Sequence, residues 1–389
     1  MSSTVANDYL RSSVSHFTIN SFLPEVQPIQ KLPDEFKEWN HLVTELPDLL
    51  AAKKFNSVIK KQDVKDVSSL ISKGEQELAL LMLSVFAHAS IHENWKIETR
   101  SSICPSIAVP LSEIADTLNR KPVLSYYSHG LNNWKKLDSN GDVEINNLAI
   151  ICRFYGGLDE SWFIRTHIDI EKKAEVLVKA ANTLMNLDGY YLDSSEVVRE
   201  LNVVSRTLHD IKNVLANVRS NCDPDIFFNR IQPFMRGMNR VRFEGVAKFN
   251  NQPISHPGGS GAQSLILPLI DALLGIQHAE DELLSYLIHL RAYMPIEHQN
   301  FLSVLLSKNK LRSLVLTSDD KAITDSYNNC IYELAEFRSE HLKITVDYIH
   351  KPASKYSQSR ERGEIGTGGS PFMKYLKKHR EETLNHLIT

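Results

Sequence analysis

The stretch AEFRSEHLKITVDYI, residues 335–349, decides how the chain is read. Leu334, Phe337, His341, Ile344 and Tyr348 recur at helical i, i+3, i+4 spacing, so they share one face and turn it inward. His341 sits in the middle of that apolar stripe. The same period governs what surrounds it. Leu78, Leu81, Met82, Val85 and Phe86 repeat at helical spacing, as do Val176, Leu177, Ala180, Leu184 and Met185. A long helix is expected over 196–218, with Val198, Leu201, Val204, Leu208, Ile211 and Leu215 on one face and Asp193 to Ser195 at its start. Further helices are expected over about 224–236, 263–276, 279–292, 322–350 and 371–386. Few stretches alternate with period two and no fixed repeat is present, so most of the chain is expected to be helical.

Two segments interrupt the helical pattern. Residues 251–262 contain HPGGSGA, and residues 351–370 are polar, charged and close with GTGGS. Both are too rich in glycine and polar residues for a helix interior and read as irregular. The turn at Phe154-Tyr155-Gly156-Gly157 suggests a division into a small helical part, 1–155, and a larger one, 156–389.

Composition narrows the function. The 389 residues are 42% apolar and 23% charged, as in a soluble globular protein, and a formal net charge of -3 argues against nucleic-acid binding. Cys104, Cys152, Cys222 and Cys330 are scattered, with no CxxC pair, which signals neither a zinc site nor a disulfide framework. A reduced, cytoplasmic setting is expected. The start of the chain has no signal-peptide core, and the apolar run 78–91 is shorter than a membrane span, which needs about 20 residues. That run reads as a buried helix.

The imidazole of His341 has two readings. It is a core histidine satisfied by backbone groups, or it is an axial ligand to haem iron, for which neutral imidazole on a rigid helix is well suited. Arg338, one turn earlier, is either solvated surface or a partner for a haem propionate. The glycines of GGSGAQS (258–264) make a tight turn or let backbone pass close to a flat ligand. GTGGS (366–370) is a flap over a site or a connection into the last helix.

Several blocks, in order, resemble the indoleamine 2,3-dioxygenase family. In the C-terminal half these are GGSGAQS, DALLGIQ (271–277), RAYMPIEHQNFL (291–302), FRSEHLKITVDYI (337–349) and GTGGSPFMKYLKKHRE (366–381). In the N-terminal half they are LPDEFKEWNHLVTELPDLL (32–50), IAVPLSEIADTL (107–118) and KPVLSYYSHGLNNWKKLD (121–138). The resemblance spans nearly everything after the first twenty or so residues.

It implies an all-α fold in which a small helical domain caps a large one holding haem b, with a flap at 351–370. His341 would be the proximal iron ligand, with Arg338 and Asp271 a charged pair on that side and Ser260 and Gly261 beside the haem edge. Tyr126, His129 and Gly130 would line the pocket around an indole ring, and Trp162, Phe163 and Thr166 a second wall. Phe227 and Phe228 would match a phenylalanine pair, and Thr367 would touch the substrate's amino-acid end. The implied reaction inserts dioxygen across the indole C2–C3 bond of tryptophan or a related indoleamine, giving N-formylkynurenine. An electron donor keeps the iron ferrous, no protein acid or base is required, and neither nucleic acid nor membrane takes part.

One departure stands out in FFNRIQPFMRG (227–237). Gln232 occupies the position of an arginine that clamps the substrate carboxylate, and an amide cannot form that bidentate ion pair. Arg236, four residues on, is expected on the same helical face and offers a replacement guanidinium; Arg230 is less well directed. His129, Gly130 and His167 make the expected pocket roomier and more polar, with either histidine at the pocket or behind it. The alternatives are a haem oxygenase for another indole or aromatic amine, a non-catalytic haem or tryptophan sensor, and a helical interaction protein without cofactor.

Overall fold

The computed structural model of the chain describes residue 19 and residues 21–187, 193–355 and 372–389. It is an all-α fold with short strands at its margins. Helix α1 (Lys37–Ala51) and helix α2 (Lys73–His92) open it. A Ser72–Glu75 capping box satisfies the free N–H groups at the start of α2, and every residue from Glu77 to His92 is buried. The apolar run of the sequence is thus a core helix, enclosed on all sides. Helix α3 (Pro105–Thr117) begins with a proline where the missing N–H has no helical partner to lose. These three build one core with Phe55, Phe86 and Leu111, and Phe234 and Phe243 from the later chain pack into it.

The second core is built by α4 (Gly157–Ala174), α5 (Val176–Met185), α6 (Ser194–Ala216) and α7 (Ile266–Leu274), while α8 (Glu282–Arg291) sets Leu290 into the first core; α9 (Ile296–Lys308) and α10 (Lys321–Thr345) complete the second. Asp193 caps α6 through Ser195 N–H, as its position before Glu196 suggested. Leu201, Val204, Leu208 and Ile211 of α6 are fully buried with Tyr327, Ile331 and Leu334 of α10. Each such side chain contributes roughly 1.5–3 kcal/mol relative to exposure. Gly275 ends α7 at φ 65°, the left-handed conformation a side chain disfavours. Helix α11 (Phe372–Leu384) lies against α10.

Three details differ from the sequence expectation. The helix expected to end at 350 continues through Lys351–Lys355, so the first five residues of the irregular segment are helical, while residues 356–370, where the flap was expected, lie outside the described residues. The helix expected over 224–236 stops at Met235, and Arg236 is extended with ψ 154°. The 251–262 segment contains a strand, Ile254–His256, paired antiparallel with Met238–Phe243, which in turn pairs in parallel with Ser102–Ile103. This small sheet joins early and late parts of the chain. His88 does so too: its Nδ1–H donates to the Phe234 carbonyl at 2.8 Å, and Nε2 accepts from Leu124 N–H at 3.3 Å.

All four cysteines are buried and unpaired. Among the described residues no helix is long and apolar enough to cross a membrane.

Candidate active site

Three π-helical turns converge on one cavity: Tyr127–Leu131, Phe227–Ile231 and Val346–His350. Each widens its helix by one residue and redirects the side chains around it, an irregularity common at functional sites. The first presents His129 and Gly130, the second Phe227, and the third Tyr348 and Ile349. The remaining wall comes from Phe163 and His167 on α4, from the Gly259–Ala262 loop, and from His341 and Ile344 on α10.

The loop is held at close quarters. A Cβ on Gly258 would lie 2.1 Å from the Met235 carbonyl oxygen, and one on Gly237 would lie 2.3 Å from that of His256. Only glycine lets these two backbones touch. Gln263 then fastens the loop to the first wall, accepting from Tyr126 N–H at 2.8 Å and donating to the Gly258 carbonyl at 3.0 Å.

His341 lines the cavity, and its ring nitrogens have no hydrogen bond among the described residues; the Thr345 hydroxyl donates to its backbone carbonyl, not to the ring. The core-histidine reading needs a backbone partner for the ring, and none is present there. Burial, with His167 and Arg338 nearby, lowers its pKa to about 4, so the imidazole is neutral and a nitrogen lone pair is available. A neutral, unengaged imidazole on a rigid helix, facing a largely apolar cavity, fits the donor that haem iron requires.

Behind it lies a polar network. Arg338 is 4% exposed, which removes the solvated-surface reading. Its Nη2 donates to both oxygens of Asp271 at 2.6 and 2.8 Å, and its Nη1 to the His379 carbonyl and Thr383 hydroxyl at 2.8 Å each. Burial works to raise the Asp271 pKa, but Arg338 and His278 outweigh it and hold the carboxylate below its usual range. His278 bonds Asp271 at 3.2 Å and Glu382 at 2.7 Å. His278, His379 and Glu382 are close enough together for a metal ion. However, both His278 nitrogens face carboxylates and its ring stacks on His379 at 4.0 Å, so the lone pairs do not converge.

Burial governs the opposite side. Burial pushes His129 down to about 3 and Glu160 up to about 7, with His129 Nε2 and Glu160 Oε1 4.0 Å apart. Glu171 is likewise raised by burial to about 7, although Tyr126 and Ser264 hydroxyls donate to it at 2.9 and 2.7 Å.

A family model described as indoleamine 2,3-dioxygenase matches residues 13–386. The chain belongs to the indoleamine 2,3-dioxygenase family. It is 30% identical to mouse indoleamine 2,3-dioxygenase 2 over 379 residues, covering 93% of this chain and 91% of the relative. It is 28% identical to the indoleamine 2,3-dioxygenase of Saccharomyces cerevisiae over 414 residues, covering 94% and 91%. A protein named myoglobin from Haliotis madaka is also similar, at 28% over 370 residues, covering 92% and 94%.

Of the residues singled out from the sequence of this dioxygenase-family chain, Tyr126, His129, Gly130, Phe163, Phe227, Ser260, Gly261 and His341 share the cavity wall. Asp271 and Arg338 lie in the network behind His341. Trp162 and Thr166 are not on the wall: the Trp162 indole donates to the Asn217 carbonyl at 3.1 Å, and the Thr166 hydroxyl to the Trp162 carbonyl at 2.8 Å. Helical geometry turns Phe163 and His167 inward instead. Phe228 and Gln232 are wholly buried and off the wall. Because the helix ends at Met235, the four-residue spacing does not place Arg236 on Gln232's face. Thr367 lies outside the described residues. His379, also on the wall, had no signal in the polar stretch KKHRE.

The buried histidines fix a pH dependence. His88 is lowered to about 4, His92 and His129 to about 3, and His298 to about 4, chiefly by burial. An unfolded histidine titrates near 6.5, so below that pH the unfolded chain binds more protons. Stability from these groups is complete above 6.5 and declines as pH falls toward 4. Glu160 and Glu171 oppose this between 7 and 4.5, but they are two against four. The urea midpoint is therefore expected to be lower at pH 5 than at pH 7, and an equal or higher midpoint at pH 5 contradicts the assignment.

Proposed function

We propose that the chain is a haem b-dependent dioxygenase that inserts both atoms of dioxygen across the indole C2–C3 bond of tryptophan or a related indoleamine. The observation that carries this reading is the His341 imidazole, neutral, on the cavity wall and without a hydrogen bond among the described residues. His341 would hold the iron from α10, with Ser260 and Gly261 along the haem edge. When bound, haem supplies the iron centre at which dioxygen is activated.

The chain's own residues then bind, orient and exclude water. Phe163 and Phe227 are in ring contact at 4.8 Å and, with Tyr126, form an aromatic wall for a flat ring. Fixing that ring against the second reactant reduces the entropic part of the barrier. Residues 1–155 would act as a cap, residues 156–389 as the haem-binding part, and the segment carrying Thr367 as a flap over the site. Dioxygen, an electron donor and a cytoplasmic setting complete the proposal.

Arg236 is the cation we assign to the substrate carboxylate. It follows the wall residue Met235 and packs by its backbone against Gly258, and its side chain has no hydrogen bond or ion pair among the described residues. Burial lowers its pKa, which marks a guanidinium lacking a counter-charge. A substrate carboxylate would supply one.

The deciding experiment adds L-tryptophan and oxygen to the haem-loaded, reduced protein and monitors N-formylkynurenine. Product is expected; haem binding without product would replace the tryptophan dioxygenase with a haem oxygenase for another indole or aromatic amine, or with a haem or tryptophan sensor. His341→Ala is expected to lose stable haem binding with the helical circular dichroism signal kept, and unchanged haem content would remove His341 as ligand. Arg236→Ala should weaken tryptophan about ten-fold or more, while leaving indoles without a carboxylate nearly unaffected. Equal losses for both classes would remove the carboxylate role.

A further inference from the structure

A haem held by His341 brings two propionate carboxylates, and the guanidinium expected from the sequence to meet one is fully engaged elsewhere. Arg338 directs Nη2 to Asp271 and Nη1 to the His379 carbonyl and the Thr383 hydroxyl. Lys378 is paired with Asp281 and Glu382. Arg291, whose Nε is buried without a partner, is not on the cavity wall.

His379 differs from all three. It lines the cavity from α11, on the same helical face as Leu376 one turn earlier. Its backbone carbonyl accepts from Arg338 and from Thr383, but its ring nitrogens have no hydrogen bond among the described residues. The Arg338 bond ties this part of α11 to the turn of α10 that precedes His341, and both imidazoles face the same cavity.

The ring is also supported from behind. His278 stacks on it with centroids 4.0 Å apart and 23° between the planes. Asp271 and Glu382 are both held below the usual carboxylate range, so their oxygens only accept. They accept from the two His278 nitrogens at 3.2 and 2.7 Å, which fixes the supporting ring. Burial, with His278 and Arg338 nearby, lowers the His379 pKa to about 4 and leaves a neutral imidazole with one N–H to donate. The residue is half-buried, so a carboxylate beside it keeps part of its water while gaining that bond.

We propose that His379 is a haem-anchoring residue whose ring N–H donates to a propionate carboxylate, the role that the engaged Arg338 does not fill. This inference rests on the haem reading of the same cavity. It makes retention of the cofactor depend on the carboxylates of its edge as well as on the bond from His341, and it places the second hold on the last helix.

The test loads the protein with haem b or with its dimethyl ester, in which both propionates are uncharged, and follows the loss of each to excess apomyoglobin in the Soret region. The wild type is expected to lose the ester about ten-fold faster or more, as a hydrogen bond to a charged group requires. His379→Leu should lose haem b at a rate close to that of the ester while leaving the ester rate unchanged. His379→Gln, whose amide N–H still donates, should restore part of the difference. Equal rates for the two haems in the wild type, or a wild-type difference that survives in His379→Leu, would overturn the role of His379 and leave the haem reading standing. Faster loss of both haems by the same factor in His379→Leu would reduce the residue to packing and overturn the proposal. Failure of the wild type to take up either haem would remove the haem reading and this inference together. A low-spin ferric spectrum that becomes high-spin in His379→Leu would put the ring on the iron and overturn the proposal.

Discussion

The buried pair between Arg338 and Asp271 sets the frame in which His341 works. Taking both charges out of water costs several kcal/mol per ion, and their attraction returns this only with good geometry and further hydrogen bonds. Both conditions are met here: two short bonds join the pair, and Arg338 also reaches the His379 carbonyl and the Thr383 hydroxyl. The gain lies less in stability than in register. α7 carries Asp271, α10 carries Arg338 and α11 carries His379 and Thr383, so one guanidinium locks three helices against sliding. His341 stands three residues beyond Arg338 on the same helix, and its place on the wall follows from that lock.

On the other side of the cavity the constraint is backbone rather than charge. A regular α-helix repeats its faces every 3.6 residues, and three helical segments break that rule where they meet the cavity. A π-turn inserts one residue without ending the helix, so the side chains before and after it point in newly related directions. Gly237 and Gly258 then allow two backbones to pass nearly in contact, which draws the Ser260 loop onto the cavity. The site is thus assembled by irregularities supported on regular helices with fully packed cores.

This division explains what could be read from the chain and what could not. The apolar period of Leu201, Leu208 and Leu334 reports burial directly, so the helices and the inward face of His341 were legible. The wall residues Tyr126, His129, Phe163 and Phe227 came from family resemblance, since nothing in their spacing distinguishes a pocket from a core. Thr166 and His167 are adjacent, and a step of one residue turns a side chain by about 100°. Choosing between them requires the helix phase, which the sequence does not give. Arg236 was drawn onto Gln232's face by counting four residues along a helix that ends one residue too soon. π-turns, like helix ends, depend on tertiary packing more than on local preference.

The electrostatics of the cavity narrow what it can hold. His129, His167 and His341 are all made neutral by burial, and Glu160 and Glu171 are pushed toward their protonated forms. The Arg338 charge is spent on Asp271. The wall therefore offers dipoles and aromatic faces in place of fixed charge, an environment that favours a flat, uncharged ring over an ionic group. An amino acid brings both kinds of group, and its carboxylate cannot follow the ring inward without a large desolvation cost. A substrate of that class must bind with its ring inside and its charged end at a cation outside the aromatic wall. Arg236, next to Met235 and pressed by its backbone against Gly258, is the cation proposed for that role.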